Sequence, residues 1–241
     1  MIRRFAFAAA IATAFFFSGS ANTAHAQLGV TVVGVGEFDT EDTYLVLGGV
    51  SVSPRTEGWS WIAGVSAYWL QYPVFGGLND ATRSVTAITP SVGIKNNFGS
   101  GSGSFRVGYS FKADDDDVDS DLPAFTEGGG GDGIVNTAQV DYWGSGSIAA
   151  QGIASYNYGS ESFWGRGRLA KRLFSVGAGG ISLGAEAAYL DSEGYSATKV
   201  GGLVMFNAGP GTQLNAVVGR KMPSAGSDAT YFTFEVVLFP H

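Results

Sequence analysis

The densest group of carboxylates in the chain is DDDDVDSD, residues 114–121. Its aspartates are Asp114, Asp115, Asp116, Asp117, Asp119 and Asp121. Carboxylate oxygens bind Ca²⁺, but an EF-hand loop needs the order Asp-x-Asp-x-Asp-Gly and a closing glutamate, which this stretch lacks. We therefore expect no dedicated metal site here, only weak contacts with divalent cations or with lipopolysaccharide.

Basic residues form a second pattern in FWGRGRLAKRL, residues 163–173. Arg166, Arg168 and Arg172 share one face of an extended strand, because successive side chains of a strand point to opposite sides. The polar residues that we predict to face the same interior are Arg106, Lys112, Asp141, Gln151, Arg166, Arg168, Arg172, Glu186, Lys199 and Glu235. Two interpretations stay open. The residues form a network that neutralises buried charge, or a basic ladder that lines a path for an anionic or polyhydroxylated solute.

Residue types argue against catalysis. Nucleophilic hydrolysis by a serine needs a histidine base, and the chain has histidine only at His25 and His241 and no cysteine. A zinc site is also not expected, because histidine and cysteine are its usual ligands. Asp141, Glu186 and Glu235 are candidate carboxylates, but their spacing selects no acid–base pair. We expect no enzyme and no cofactor.

The first residues have the pattern of an export signal. Arg3 and Arg4 precede an apolar segment at residues 5–17, and Ala24-His25-Ala26 has the small-x-small pattern of a cleavage site. We predict a cleavable signal peptide at residues 1–26 and Sec export, with a twin-arginine route as the minor alternative. No later run of apolar residues is long enough for a membrane-spanning helix.

Hydrophobic residues alternate with polar ones along most of the remaining chain. In SFRVGYSFK, residues 104–112, the residues Phe105, Val107, Tyr109 and Phe111 share one face, which is the period of a strand. Twelve such segments are predicted, near residues 28–37, 43–54, 58–71, 84–95, 103–112, 134–143, 147–157, 163–173, 180–190, 195–207, 212–220 and 229–239.

Alternating short and long connections between these segments predict an all-β fold. We expect a transmembrane up-and-down antiparallel β-barrel of about twelve strands at residues 27–241, with a long acidic extracellular loop at 113–133. Aromatic residues near both strand ends predict two interfacial girdles, with Trp69 and Tyr72 at the loop end and Trp59, Trp61 and Trp143 at the turn end. The alternative is an exported soluble β-sandwich or lipocalin-like barrel, which turns its apolar face inward.

Several strings carry a family resemblance. YLVLGGVSVSPRTEGWSWIAGVSAYWLQY, ITPSVGIKNNFGSGSGSFRVGYSF, SFWGRGRLAKRL and LGAEAAYLDSEGYSATKVGGLV together resemble the cellulose biosynthesis protein BcsS family of bacterial outer-membrane proteins. The resemblance implies a role in the export or organisation of an exopolysaccharide such as cellulose, with polysaccharide secretion components as partners. It supplies no catalytic residues.

Two functional classes therefore stay open. The first is a transport or secretion component of the outer membrane of a Gram-negative bacterium, with a narrow basic lumen. The second is a non-conducting structural or adhesive barrel. In both, the expected partners are outer-membrane lipid, lipopolysaccharide and the barrel assembly machinery, and the lack of a basic stripe predicts no nucleic acid. The acidic loop either meets lipopolysaccharide through cations or folds back over the mouth as a gate.

Overall fold

The computed structural model describes residues 28–73, 82–114, 132–143, 148–176, 179–192, 195–209 and 211–239. The predicted signal peptide and the aspartates at positions 115–121 lie outside these residues. Asp114 ends a strand, but its side chain is also outside the description. Among the described residues no helix is long and apolar enough to cross a membrane.

Twelve antiparallel strands of the described chain close into a barrel in which each strand pairs with its neighbours in sequence and β1 pairs with β12. The strands are β1 (Leu28–Asp39), β2 (Tyr44–Pro54), β3 (Gly58–Pro73), β4 (Thr82–Phe98), β5 (Gly101–Asp114), β6 (Gly133–Trp143), β7 (Ile148–Asn157), β8 (Ser162–Val176), β9 (Gly179–Ser192), β10 (Tyr195–Gly209), β11 (Thr212–Pro223) and β12 (Ala229–Leu238). The predicted fold class is confirmed, with boundaries that differ by a few residues. Closure pairs the strand edges, so the sheet has none left exposed.

The outer surface is apolar. On β5, Phe105, Val107, Tyr109 and Phe111 point outward and are 45%, 42%, 43% and 56% exposed, whereas Ser110 points inward and is 1% exposed. Each of the other strands also has exposed large apolar side chains on its outer face, although some apolar side chains face inward. A soluble barrel buries its apolar face inside, so this one is built to face lipid.

The two ends of the barrel differ. At one end, which we call the loop end, strands are joined through residues 40–43, 74–81, 115–132, 158–161, 193–194 and 224–228. At the other, the turn end, the connections are 55–57, 99–100, 144–147, 177–178 and 210–211; β1 begins there and β12 ends there. Short turns lie on the periplasmic side in barrels of this class, and a periplasmic turn end stays a prediction for this chain.

Aromatic side chains lie on the outside at both ends. Trp59 and Trp61 are 71% and 50% exposed near the turn end, as expected for an interfacial girdle. The prediction is wrong for Tyr72 and Trp143. Tyr72 is buried on the interior face of β3, and Trp143 packs against an interior apolar cluster. Their positions near strand ends were correct, but the pleat turns these two side chains inward.

Candidate functional site

Arg168 occupies the middle of the barrel interior. Its Nε donates a hydrogen bond of 2.6 Å to Glu186 Oε2 on β9, and its Nη1 donates one of 2.6 Å to Glu235 Oε1 on β12. The side chains of Arg168, Glu186 and Glu235 are 1%, 3% and 3% exposed. Because β12 is four strands away from β8 around the wall, this arginine reaches across the lumen and joins separate parts of the barrel.

Glu235 joins several of these contacts. Its Oε1 also accepts a hydrogen bond of 2.6 Å from Asn215 Nδ2, and Arg166 Nη1 lies 3.0 Å from its Oε2. Asn215 is itself oriented by Gln213, whose Nε2 donates to Asn215 Oδ1 at 2.8 Å. We call Arg166, Arg168, Glu186 and Glu235 the central network. Two cations face two carboxylates, so most of its charge is compensated.

Tyr231 supports the central network, and two glycines make room for its side chain. Its hydroxyl donates a hydrogen bond of 3.3 Å to Glu186 Oε1, and its ring covers Gly219 and Gly201 on the neighbouring strands β11 and β10. A Cβ atom on Gly219 would lie 2.6 Å from the ring, and one on Gly201 would lie 2.7 Å from the hydroxyl oxygen. The missing side chains therefore let one tyrosine lie flat across two strands and reach a third.

Two further ion pairs connect β1 to strands beyond its neighbour β12. Lys199 on β10 contacts Glu37, which also accepts a hydrogen bond of 3.0 Å from Thr233 Oγ1. Lys221 Nζ on β11 lies 2.9 Å from Asp39 Oδ2. Both pairs cross the seam between the first and last strands, so they hold the closed barrel together.

A second charged group, which we call the lateral cluster, consists of Lys95, Arg106 and Asp141. Both cations interact electrostatically with the Asp141 carboxylate, as does Arg166 of the central network. Gln139 Nε2 donates a hydrogen bond of 2.8 Å to Asp141 Oδ2. The lateral cluster contains two cations and only one carboxylate, so this side of the lumen is electropositive.

The predicted polar residues all occur on the interior face, but in different surroundings. Arg166, Arg168, Glu186 and Glu235 come together in the central network, Lys199 lies at the seam, and Arg106 and Asp141 lie in the lateral cluster. Gln151 pairs in register with both Asp141 and Arg168 and so lies between the two groups. Lys112 and Arg172 are apart from them, one at each end of the lumen.

Lys112 also lies at the base of the acidic loop. Its backbone N–H donates a hydrogen bond of 2.6 Å to Asp132 Oδ1, which joins the residues on either side of the loop. Arg172 pairs with Ser182 near the turn end and is exposed.

Sequence reasoning missed Glu37, Asp39, Lys95 and Lys221. In LGVTVVGVGEFD, the sequence of β1, valines and glycines occupy both faces, so the alternation does not show which side Glu37 takes. Lys95 and Lys221 lie near strand ends, where the period is weakest. For Lys95, the outward residues Ile94 and Val92 in the same strand were a usable signal.

Apolar side chains narrow the lumen. Near the loop end, Leu45, Tyr68, Leu70, Tyr72, Val85 and Ala87 form a buried cluster on the interior faces of β2, β3 and β4. A second buried cluster contains Ala149, Ala170, Leu203, Met205, Val217 and Tyr231, with Trp143 packed against it. A passage through this interior is therefore narrow, with charged and apolar walls.

The chemistry available in this interior is recognition of charge and hydroxyl groups. Within the described ranges, no group of His, Cys, Asp and Glu has the arrangement of a metal site. The interior cations are Lys95, Lys112, Arg106, Arg166, Arg168, Arg172, Lys199 and Lys221, and the interior carboxylates are Glu37, Asp39, Asp141, Glu186 and Glu235. Cations outnumber carboxylates in the described interior.

The fold is similar to that of an outer-membrane channel from Pseudomonas putida F1, with a TM-score of 0.57 and 12% identity over 92% of this chain and 98% of that chain. The chain has the fold of an outer-membrane β-barrel. Lower similarity relates it to the KdgM porin and to the β domain of the Bordetella autotransporter BrkA, each with a TM-score of 0.48 and 11% identity over 88% of this chain, covering 99% and 98% of those chains. No protein-family model and no curated protein matches the sequence.

Proposed function

We propose that this protein is a bacterial outer-membrane channel whose narrow, electropositive lumen passes small anionic or polyhydroxylated solutes. The observation that carries the proposal is the lateral cluster, where Lys95, Arg106 and Asp141 lie on the interior faces of the neighbouring strands β4, β5 and β6 and two cations face one carboxylate. A structural network needs only enough cations to compensate its carboxylates, as the central network does. Surplus positive charge along a lumen favours the entry of anions.

We further propose that the channel serves the export or organisation of an exopolysaccharide such as cellulose. This part rests on the resemblance of LGAEAAYLDSEGYSATKVGGLV and the other quoted strings to the BcsS family. Outer-membrane lipid, lipopolysaccharide, the barrel assembly machinery and polysaccharide secretion components are the partners that this role requires. The role requires no catalysis, and we propose none.

The second candidate is a non-conducting structural or adhesive barrel. The observation in its favour is the degree to which the interior is filled, since Leu203, Met205 and Tyr231 are 2%, 1% and 0% exposed. A barrel of twelve strands lies between those whose interior is filled by side chains and those that leave an aqueous channel. Conduction is therefore the property that separates the two candidates.

Ion selectivity in planar bilayers tests the channel. We expect the refolded protein to show steady conductance, and a reversal potential under a KCl gradient that indicates preference for chloride. Arg106→Gln and Lys95→Gln each remove one interior charge. Each should reduce the anion-to-cation permeability ratio by up to about fivefold, the factor for about 1 kcal/mol of screened attraction.

Lys171→Gln is the matched control, because Lys171 pairs with the outward-facing Ile148 and so lies on the outer face near the turn end. It should leave the ratio unchanged. Heat-modifiable migration in mild detergent gels shows that each variant is folded. A cation preference in the parent protein, or equal effects of Lys95→Gln and Lys171→Gln, contradicts the anion channel, and a silent bilayer favours the structural barrel.

A further inference from the structure

An open cavity of about 400 Å³ lies at the turn end of the barrel. Its polar lining consists of Thr31, Ser53, Arg55, Thr56, Glu57, Lys95 and Asn97. These residues come from β1, β2, the connection at 55–57 and β4, so the cavity forms where these segments meet. Its volume is near the lower end of the range for small-molecule sites.

Neighbouring contacts shape this cavity. The side chain of Arg55 lies against Gly29, where a Cβ atom would be 3.1 Å from Arg55 Cγ. Asn97 Nδ2 donates a hydrogen bond of 2.9 Å to the carbonyl oxygen of Thr56, which holds the connection between β2 and β3 against β4. The absence of a side chain at Gly29 therefore makes room for Arg55, and the side-chain amide of Asn97 fixes the position of Thr56 on the connection.

The lining combines two kinds of recognition group. Arg55 and Lys95 supply two positive charges against the single carboxylate of Glu57, which is exposed on the same connection as Arg55. The guanidinium of Arg55 suits a carboxylate ligand because its N–H groups match two oxygens. Thr31, Ser53 and Thr56 supply hydroxyl groups, which donate or accept hydrogen bonds as a ligand requires. A ligand that satisfies both carries a carboxylate and several hydroxyl groups on a small skeleton.

The cavity also adjoins the lateral cluster. Lys95 belongs to both, and it pairs with Ser104, two residues before Arg106 on β5. A negatively charged ligand in the cavity is therefore next to the interior cations.

We propose that this cavity is a binding site for a hydroxylated organic acid of the sugar-acid class at the periplasmic mouth of the lumen. The proposal deepens the proposed function, on which it rests for its role, because it names the class of solute that enters the electropositive passage. The acid group pairs with Arg55 and Lys95, and the hydroxyl groups bind the threonine and serine side chains.

Saturation-transfer NMR on the refolded full chain in detergent micelles tests the site, with glucuronate, glucose and acetate as probes. Glucuronate carries both groups, glucose only hydroxyls and acetate only charge. We expect glucuronate to bind about tenfold more tightly than either of the others, and Arg55→Gln and Lys95→Gln each to weaken it by about tenfold, the effect of one charge-assisted contact. Thr31→Val should weaken glucuronate and glucose but leave acetate unchanged.

The Lys171→Gln variant again provides the matched control and should bind all three probes as the parent does. Glucuronate binding no tighter than acetate, or unaffected by both Arg55→Gln and Lys95→Gln, overturns the site. Arg55 is exposed on a connection between strands, so its substitution leaves the barrel intact. Binding is measured without ion flow, so a conducting barrel that does not bind glucuronate refutes only this inference, and a silent barrel that binds it refutes only the channel.

Discussion

Replacing Glu235 by glutamine should lower the free energy of unfolding by about 3 kcal/mol, because breaking a buried ion pair leaves an uncompensated charge. Glu235 receives hydrogen bonds of 2.6 Å from Arg168 and Asn215 and forms an ion pair with Arg166. The amide keeps the shape of the carboxyl group but removes its charge. Arg166 and Arg168 would then face only Glu186 within the central network. Urea unfolding of the refolded protein, followed by tryptophan fluorescence, measures the difference.

Asp228→Asn is the control for that loss. Asp228 pairs with Arg220 on the surface, where the two side chains are 42% and 69% exposed. An exposed pair of this kind contributes about 0–1 kcal/mol. If Glu235→Gln costs no more than Asp228→Asn, the central network does not hold the barrel together, and its charges would have to be explained by transport alone.

Gly219→Ala should destabilise the barrel by about 2 kcal/mol, as expected when a tightly packed site is overfilled. The added Cβ would lie 2.3 Å from the carbonyl oxygen of Val200 and 2.6 Å from the ring of Tyr231. The backbone cannot move away without disturbing the pairing of β10 with β11, so the tyrosine must shift and lose its hydrogen bond to Glu186. The same unfolding measurement detects this effect.

Gly202→Ala is the matched control for Gly219→Ala. Gly202 is on β10 and pairs with Val218, next to Gly219, but it faces outward and a Cβ atom there meets nothing within 4 Å. This substitution should be neutral or stabilise by about 0.4–1 kcal/mol, because alanine reduces the freedom of the unfolded chain. Equal effects at the two glycines would refute the role assigned to Tyr231.

The predicted stability changes also bear on the channel proposal, because the side chains that stabilise the barrel wall also occupy its lumen. Arg168 is held between Glu186 and Glu235 through its Nε and Nη1 atoms, whereas Lys95 and Arg106 share Asp141. The central network therefore supports the structure, and under the proposed function the lateral cluster supplies the positive charge that attracts a solute. Substitutions in the first should change stability, and substitutions in the second should change selectivity.

The sequence alone determined the fold class, because the period of two along strands such as β5 and the alternation of connection lengths depend only on local order. It also identified Arg166, Arg168, Glu186 and Glu235 as inward-facing candidates, since each strand reports its own two faces. It did not show that these four residues meet. Their strands are separated by up to 69 positions, the difference between residues 166 and 235.

Tertiary structure decided which charges compensate one another. Glu37 and Lys199 come from β1 and β10, and only closure of the barrel brings them together across the seam. The positions of Tyr231 over Gly219, of Tyr72 inside the lumen and of the cavity beside Lys95 likewise depend on the register between strands. Local alternation records which face a side chain takes, but distances across a lumen depend on strand number, tilt and register, which are properties of the closed sheet.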